Sequence, residues 1–156
     1  MNKRLVVSIV VVLILVAAFY AYREYNRAPV NTANATPTAV LTGVELIAAF
    51  EKDETGATKR YVSLDNVVSI QDTLLKIKTN KPSQPGEKES YMLILGTRNR
   101  KVSIRCSMDT TFSTAATTLT PGEPVIVQGI CSGYNKYEDL GLDPDIVFVR
   151  CSLVKK

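Results

Sequence analysis

The chain begins with an apolar run that is almost free of polar side chains. Leu5 to Tyr22 reads LVVSIVVVLILVAAFYAY, in which Ser8 and two tyrosines are the polar exceptions, and two cations precede it. At about 1.5 Å per residue, a helix of this length spans roughly 27 Å, which is close to the hydrocarbon thickness of a bilayer. The pattern predicts a single transmembrane helix, and we assign residues 1–27 to a membrane anchor.

The end of this run favours an anchor that is retained. Residues 19–23 read FYAYR, so bulky aromatic rings and a cation stand where signal cleavage needs small residues. Lys3 and Arg4 favour an amino terminus inside the cell, although Arg23 and Arg27 weaken the asymmetry. We expect an uncleaved signal-anchor in the inner membrane with a periplasmic carboxyl-terminal domain, and cleavage or the opposite orientation is the alternative.

Residues 28–42, APVNTANATPTAVLT, show no periodic apolar pattern and are rich in Ala, Thr, Asn and Pro. This composition predicts a flexible linker. The 114 residues from 43 to 156 suffice for one hydrophobic core and are too few for two ordinary domains.

Helical spacing begins after the linker. Thr42 or Gly43 can cap a helix, and Gly56 interrupts or ends it, although Ala57 and Tyr61 would continue the buried stripe after a kink. The interpretation is a helix packed against a sheet. Its apolar face consists of Val44, Leu46, Ile47, Ala49 and Phe50.

From Tyr61 onward the pattern alternates and β-branched residues dominate, which predicts five or six strands. Turn-rich sequences, KPSQPG at residues 81–86 and TPGE at 120–123, separate them. The predicted strands are Tyr61–Ile70, with an extension through Leu74–Lys78, then Tyr91–Gly96, Lys101–Met108, Pro124–Ile130 and Ile146–Leu153.

Each strand has one apolar side. A barrel of about five strands with an added helix buries all these sides and leaves few free edges, which is the architecture of the OB-fold. A small open sandwich is the alternative. The predicted buried sides are Val102, Ile104 and Cys106; Val125, Val127, Gly129 and Cys131; and Val147, Val149, Cys151 and Leu153.

The charge balance changes once the anchor is set aside. The chain has 19 basic and 15 acidic side chains, but residues 1–27 hold four of the former and one of the latter, which leaves a net charge of +1. Net charge therefore does not support a globally basic, nucleic-acid-seeking domain.

The reactive side chains offer little chemistry. Cys106, Cys131 and Cys151 fall on core positions, where buried thiols are slightly favoured over a disulfide between any two. Because the sequence has no histidine and no Cys-x-x-Cys pair, we expect no metal or other cofactor. Without a histidine base, a phosphate loop or a carboxylate pair, we expect no enzyme. The acidic stretch from Glu138 to Asp145 is interpreted as a solvated turn.

Two segments carry a family resemblance, LTPGEPVIVQGICSGY at residues 119–134 and DIVFVRCSL at 145–153. They resemble the bacterial tRNA_anti-like family of OB-fold proteins over roughly residues 43–154. Asn66 departs from the family pattern, which often has Gly before the first strand, so a bulge there is less assured. The resemblance implies an amino-terminal helix, a small barrel and likeness to nucleic-acid-binding domains. The matching residues are Gly122, Val125, Val127, Gly129, Cys131, Gly133 and Cys151.

A local basic cluster is the best functional signal. Eight basic side chains lie between residues 76 and 105 against Glu87 and Glu89, a local charge of +6. In OB-folds this region commonly forms the ligand groove, but stacking of bases also needs exposed aromatic rings, and Tyr91 is the one well placed, with Phe112 a weaker second. The candidate ligand-binding residues are Lys76, Lys78, Tyr91, Arg98, Arg100, Lys101 and Arg105, and the cluster also includes Lys81 and Lys88.

These patterns predict a membrane-anchored OB-fold binding module of the cell envelope whose partner is a protein, a glycan or an anionic lipid surface. The alternative is single-stranded nucleic-acid binding through the basic residues between Lys76 and Arg105. Tyr134 and Tyr137, expected in the loop between the last two strands, are the candidate partner contacts.

Overall fold

The computed structural model describes residues 3–26, 30–80, 89–96, 101–137 and 141–154. Two compact units divide the chain, Met1–Val30 and Asn31–Lys156. The first unit contains helix α1, Lys3–Tyr25. Within the described residues, no helix combines the length and apolarity that crossing a membrane requires. The described part does not include the side chains of residues 1–8 and Val11. The membrane anchor therefore stays a prediction.

In the second unit, Thr42 starts helix α2, Gly43–Lys52, with a reciprocal cap. The hydroxyl oxygen of Thr42 accepts a hydrogen bond from the Glu45 amide at 3.2 Å, and the Glu45 carboxylate accepts one from the Thr42 amide at 2.8 Å. This capping box satisfies backbone donors that a helix start leaves without partners. The predicted buried face is confirmed at Leu46, Ile47 and Phe50, whereas Val44 is 40% exposed.

A second helix, α3 (Glu54–Tyr61), follows at once because the Asp53 carboxylate accepts a hydrogen bond from the Gly56 amide at 3.0 Å and caps a new helical turn. Ala57 and Tyr61 are buried and continue the apolar stripe. The predicted strand start at Tyr61 is therefore wrong, since that residue ends a helix.

The fold is mainly β, with one six-stranded sheet in the described residues. The strands are β1 Ala39–Thr42, β2 Val67–Asn80, β3 Ser90–Leu95, β4 Ser103–Met108, β5 Pro124–Tyr137 and β6 Leu142–Leu153. Their hydrogen-bonded order is β1-β2-β3-β4-β6-β5, and β5 also pairs with β2, so the pairings of β2 to β6 form a ring. A short helix, α4 (Ser113–Ala116), lies between β4 and β5.

Strand β2 joins the two runs that the sequence suggested as a strand and its extension. Its first half, residues 67–73, pairs with β5, and its second half, residues 74–80, pairs with β3. The register shifts between Leu74 and Lys76, which marks a bulge where the partner changes. The bulge considered near Asn66 is absent, because Asn66 lies in a turn where its amide donates to the Ser63 carbonyl at 3.3 Å.

The segment interpreted as a flexible linker differs from that expectation. Ala39–Thr42 forms β1 and pairs in parallel with β2. Thr32 is 2% exposed and donates its hydroxyl to the Arg150 carbonyl at 2.6 Å, while the Gln128 side chain donates to the Ala35 carbonyl. These contacts come from distant parts of the chain, so the local composition did not reveal them.

Strand β5 extends beyond its predicted end at Ile130, to Tyr137. Gly133 lies within the strand at φ 154°, and the pairing with β6 shifts between Cys131 and Gly133. Glycine tolerates the backbone angles of such a bulge. The chain therefore bends without leaving the sheet.

The predicted buried side of β6 is also wrong in part. Ile146 and Phe148 are fully buried, although alternation had assigned Val147 and Val149 to the core. Cys151 is nevertheless buried because Arg150 adopts a left-handed φ of 53° and the pairing with β4 is irregular at this point. The irregularity reverses which residues face inward.

The three cysteines are buried free thiols. Burial raises the pKa of Cys131 to about 12. The pKa of Cys151 is also raised, first by burial and then by a hydrogen bond with Cys106. Cys131 and Cys151 therefore stay protonated at neutral pH, and all three cysteines act as small core side chains.

Candidate functional site

The strand register places part of the basic cluster on one side of the sheet. Lys76 pairs with Ile94, Ile94 with Arg105, and Arg105 with Val147. Paired residues on neighbouring strands point to the same side of a sheet. Lys76 and Arg105 therefore lie in one row, two strands apart, or roughly 10 Å between backbones.

A second row runs beside the first. Lys78 pairs with Met92, and Met92 pairs with Ser107. Both lysines are exposed, whereas Met92 and Ile94 are half-buried. This side points away from the core, and we call it the outer face: Lys76, Lys78, Met92, Ile94, Arg105 and Ser107.

Tyr91, the predicted stacking residue, lies on the opposite side of β3. It pairs with Thr79 and shares its side with the fully buried Leu93. Its hydroxyl donates a hydrogen bond to the Glu89 carboxylate at 2.9 Å, and this bond raises the pKa of Tyr91. The structure therefore separates Tyr91 from Lys76 and Lys78, because neighbouring positions of a strand alternate sides.

Of the remaining predicted basic residues, Lys101 is exposed and lies just before β4. Arg98 and Arg100 lie outside the described residues, as do Lys81 and Lys88.

Arg105 has a carboxylate partner that the sequence pattern does not predict. Its guanidinium Nη2 contacts Oδ2 of Asp145, which is 1% exposed. The Asn135 side chain donates to the other carboxylate oxygen, Oδ1, at 3.2 Å. The interpretation of Asp145 as part of a solvated turn is therefore wrong, since it lies in β6 and is buried. No local signal shows this contact, which joins strands that are distant in sequence.

Tyr137 supplies the aromatic ring of this region. The Arg105 guanidinium lies over the ring, 5.8 Å from its centroid, and the Asn135 side chain donates to the phenolic oxygen at 3.2 Å. Asn135 pairs with Asp145 across β5 and β6, so these side chains gather on the same side as Arg105. We call Arg105, Asn135, Tyr137 and Asp145 the tyrosine cluster.

Tyr134 is placed differently from Tyr137. It pairs with the buried Ile146, and its ring centroid lies 5.5 Å from that of Phe50 in α2. The Lys136 ammonium lies 5.5 Å from the Tyr134 centroid. The two tyrosines therefore point to opposite sides of β5, and both lie in this strand and outside the predicted loop.

Phe112, the weaker stacking candidate, lines a cavity of about 570 Å³ beside α4. Leu119, Val125 and Leu153 contribute to the same wall, and none of the lining residues is charged. The structure therefore does not bring Phe112 to the basic residues of the outer face. In the described part of the chain, no group of three or more His, Cys, Asp or Glu side chains is arranged to hold a metal ion.

One solved structure of a similar fold supports the β architecture. A lipoprotein of Klebsiella pneumoniae subsp. pneumoniae MGH 78578, proposed to bind nucleic acid, matches at 10% sequence identity with a TM-score of 0.55. That likeness covers 74% of this chain and 91% of the lipoprotein chain. Yeast Stn1 and Ten1 match at 13% identity with a TM-score of 0.40, covering 81% of this chain and 67% of that chain. No curated protein matches in sequence.

The family is shown by the sequence. The predicted resemblance is confirmed by a family profile that covers residues 1–152, well over half of the chain. The chain belongs to the tRNA_anti-like family, whose members are OB-fold-like proteins.

Proposed function

We propose that this protein is a membrane-anchored OB-fold module that binds single-stranded nucleic acid through its outer face. The observation that carries the proposal is the register that puts exposed Lys76 and Lys78 on one face with Arg105, beside the ring of Tyr137. Cations that track a phosphate backbone and an aromatic ring beside them are the two features that single-strand binding uses.

The strand pairing supports the barrel part of this proposal. Each of β2 to β6 pairs on both sides, and the ring of pairings closes through β2 and β5. OB-folds that bind oligonucleotides use the face and loops of the corresponding strands. The outer face lies on β2, β3 and β4, which corresponds to that surface.

The chemistry of the outer face fits a flexible anionic chain. Lys76 and Lys78 are long, exposed cations that can follow phosphates, and Met92 and Ile94 offer half-buried apolar surface between the strands. A solved lipoprotein with a similar fold is proposed to bind nucleic acid, which makes this ligand class the first to test.

The location is part of the same proposal. The apolar run Leu5–Tyr22 supports an uncleaved anchor in the inner membrane and a periplasmic binding domain. We infer no enzymatic activity, because the sequence has no histidine that could act as a base for Ser107, the hydroxyl of the outer face.

The test is binding of labelled single-stranded DNA and RNA to the full-length protein in nonionic detergent, measured by anisotropy across salt concentrations. We expect affinity to fall steeply with salt, and Lys76→Ala with Lys78→Ala to reduce the slope of log K against log salt by about 1.4. The matched control is Lys52→Ala with Lys59→Ala, which removes the same charge from exposed positions on α2 and α3 and should leave the slope unchanged.

Absence of binding at low salt would overturn the nucleic-acid proposal. A second arm uses vesicles with and without anionic lipid. Binding to the anionic vesicles alone, lost in the Lys76/Lys78 variant, would assign the outer face to a lipid surface instead. If both double variants reduce the slope of log K against log salt equally, the effect of charge is nonspecific, and the proposal is contradicted.

A further inference from the structure

We propose that Asp145 and Asn135 are positioning residues that hold Tyr137 beside Arg105 as a stacking platform for one unpaired base of the ligand. The inference deepens the proposed function and rests on it. It assigns distinct roles on the same surface: Lys76 and Lys78 contact phosphates, whereas the tyrosine cluster contacts a base.

The first observation is a buried carboxylate beside a ligand-binding surface. Asp145 is 1% exposed, and its two oxygens face Arg105 and Asn135. A carboxylate that leaves water is costly unless charged and polar partners compensate for the lost hydration. The arrangement therefore fixes Arg105 and Asn135, because each compensates for a charge that has little contact with solvent.

The second observation is that the amide nitrogen of the Asn135 side chain donates to two different acceptors. Its Nδ2 atom lies 3.2 Å from Oδ1 of Asp145 and 3.2 Å from the hydroxyl oxygen of Tyr137. One side chain thus connects the buried carboxylate to the phenol. The Arg105 guanidinium lies over the ring at 5.8 Å, so the carboxylate orients both groups that hold the ring.

Arg105 is 35% exposed in its side chain and already paired with a carboxylate, so it has little free charge for a phosphate. A guanidinium fixed over a tyrosine ring instead provides a flat surface, and stacking is the interaction that distinguishes a base from the sugar-phosphate chain. The cluster therefore serves recognition of bases, and the lysines serve attraction of the backbone.

The experiment compares two oligomers of equal charge, one with bases and one with abasic sugar-phosphate units, against the full-length protein. The wild type should prefer the oligomer with bases by about tenfold or more. Tyr137→Leu should abolish this preference and leave the salt slope unchanged, whereas Tyr137→Phe, which keeps the ring, should retain most of it.

Asp145→Asn tests the positioning role. It releases Arg105 to bind a phosphate, so the salt slope should steepen by about 0.7 while the preference for bases falls. The matched control is Asp143→Asn, which removes one negative charge from an exposed position two residues earlier in β6 and should change neither quantity. Thermal unfolding of each variant shows whether the change in binding reflects lost folding.

The outcomes separate this inference from the proposed function. If the wild type binds neither oligomer, the proposed function fails and the inference fails with it. If the wild type prefers the oligomer with bases and Tyr137→Leu keeps that preference, the stacking platform is refuted while the nucleic-acid function stands. If Asp145→Asn folds and leaves both the slope and the preference unchanged, the positioning role is refuted.

Discussion

Gly129 lies directly against the thiol of Cys151. A methyl group at Gly129 would lie 2.8 Å from Sγ of Cys151 and 3.3 Å from the carbonyl oxygen of Val149. The requirement for glycine here is one of space, since two strands approach each other where β6 is irregular. This contact gives the physical reason for a glycine on the predicted buried side of the strand.

Gly129→Ala should therefore destabilise the fold by about 1–3 kcal/mol through overpacking of the core. In a Cys151→Ala background, the same change should cost less, because the sulfur atom that it meets is gone. Denaturant unfolding of the wild type, the two single variants and the double variant measures the coupling free energy between the two positions. Equal costs of Gly129→Ala in both backgrounds would contradict the predicted contact.

The buried thiols predict a loss of stability at high pH. The folded pKa of Cys131 is about 12, against 9.0 for an ordinary thiol. The unfolded state therefore releases its thiol proton first as pH rises, so this contribution to stability is intact below about pH 9 and is lost between about pH 9 and 12. The measurement is the free energy of unfolding across this range.

Other groups also titrate at high pH, so the comparison uses Cys131→Ala. This variant should show a shallower fall of stability above pH 9 than the wild type. In addition, the folded wild type should react slowly with a thiol reagent at pH 8 and quickly after denaturation, because the thiolate is the nucleophile. Fast labelling of Cys131 in the folded protein would exclude the buried, protonated thiol.

The junction between α2 and α3 depends on one carboxylate. Asp53→Ala removes the acceptor for the Gly56 amide and should cost about 1 kcal/mol of stability. Asp53→Ser keeps an oxygen at the same position and should lose less. Thermal unfolding monitored by circular dichroism distinguishes the two variants, and an equal loss in both would show that capping does not set this junction.

The predicted anchor can be tested in cells. The full-length chain should fractionate with membranes and resist extraction by high salt, since about 18 apolar residues suffice to hold a segment in a bilayer. Deletion of residues 5–22 should release the chain from the membrane fraction. Recovery of the intact chain in the cytosol would contradict the anchor and the proposed location.

The sequence was sufficient where a single element is decided locally. Thr42, one of the two predicted caps, is the residue that caps α2, and strict alternation in β4 identifies Ile104 and Cys106 as buried. The family resemblance follows from a local motif around Gly129 and Cys131, and the family profile confirms it. Such features depend on residues that are close in the chain.

The candidate site was less predictable. Alternation within one strand does not show whether Tyr91 and Lys76 point to the same side of the sheet. The two residues lie on different strands, and only the register between those strands decides this. Local composition identifies the basic cluster, but Tyr137, the ring beside Arg105, lies in β5, far along the sequence. The sequence predicts Tyr137 as a partner contact in a loop, whereas in the structure it lies in β5 beside Arg105.

The sequence by itself determined the apolar amino-terminal run, the capped helix, most strand positions and the family, because periodicity and local caps are properties of neighbouring residues. Tertiary structure decided the bulge at Arg150, the pairing of Arg105 with Asp145 and the place of Gly129 against Cys151. Each of these results from strands meeting in one register, and a register is fixed only when distant segments bury their apolar sides together.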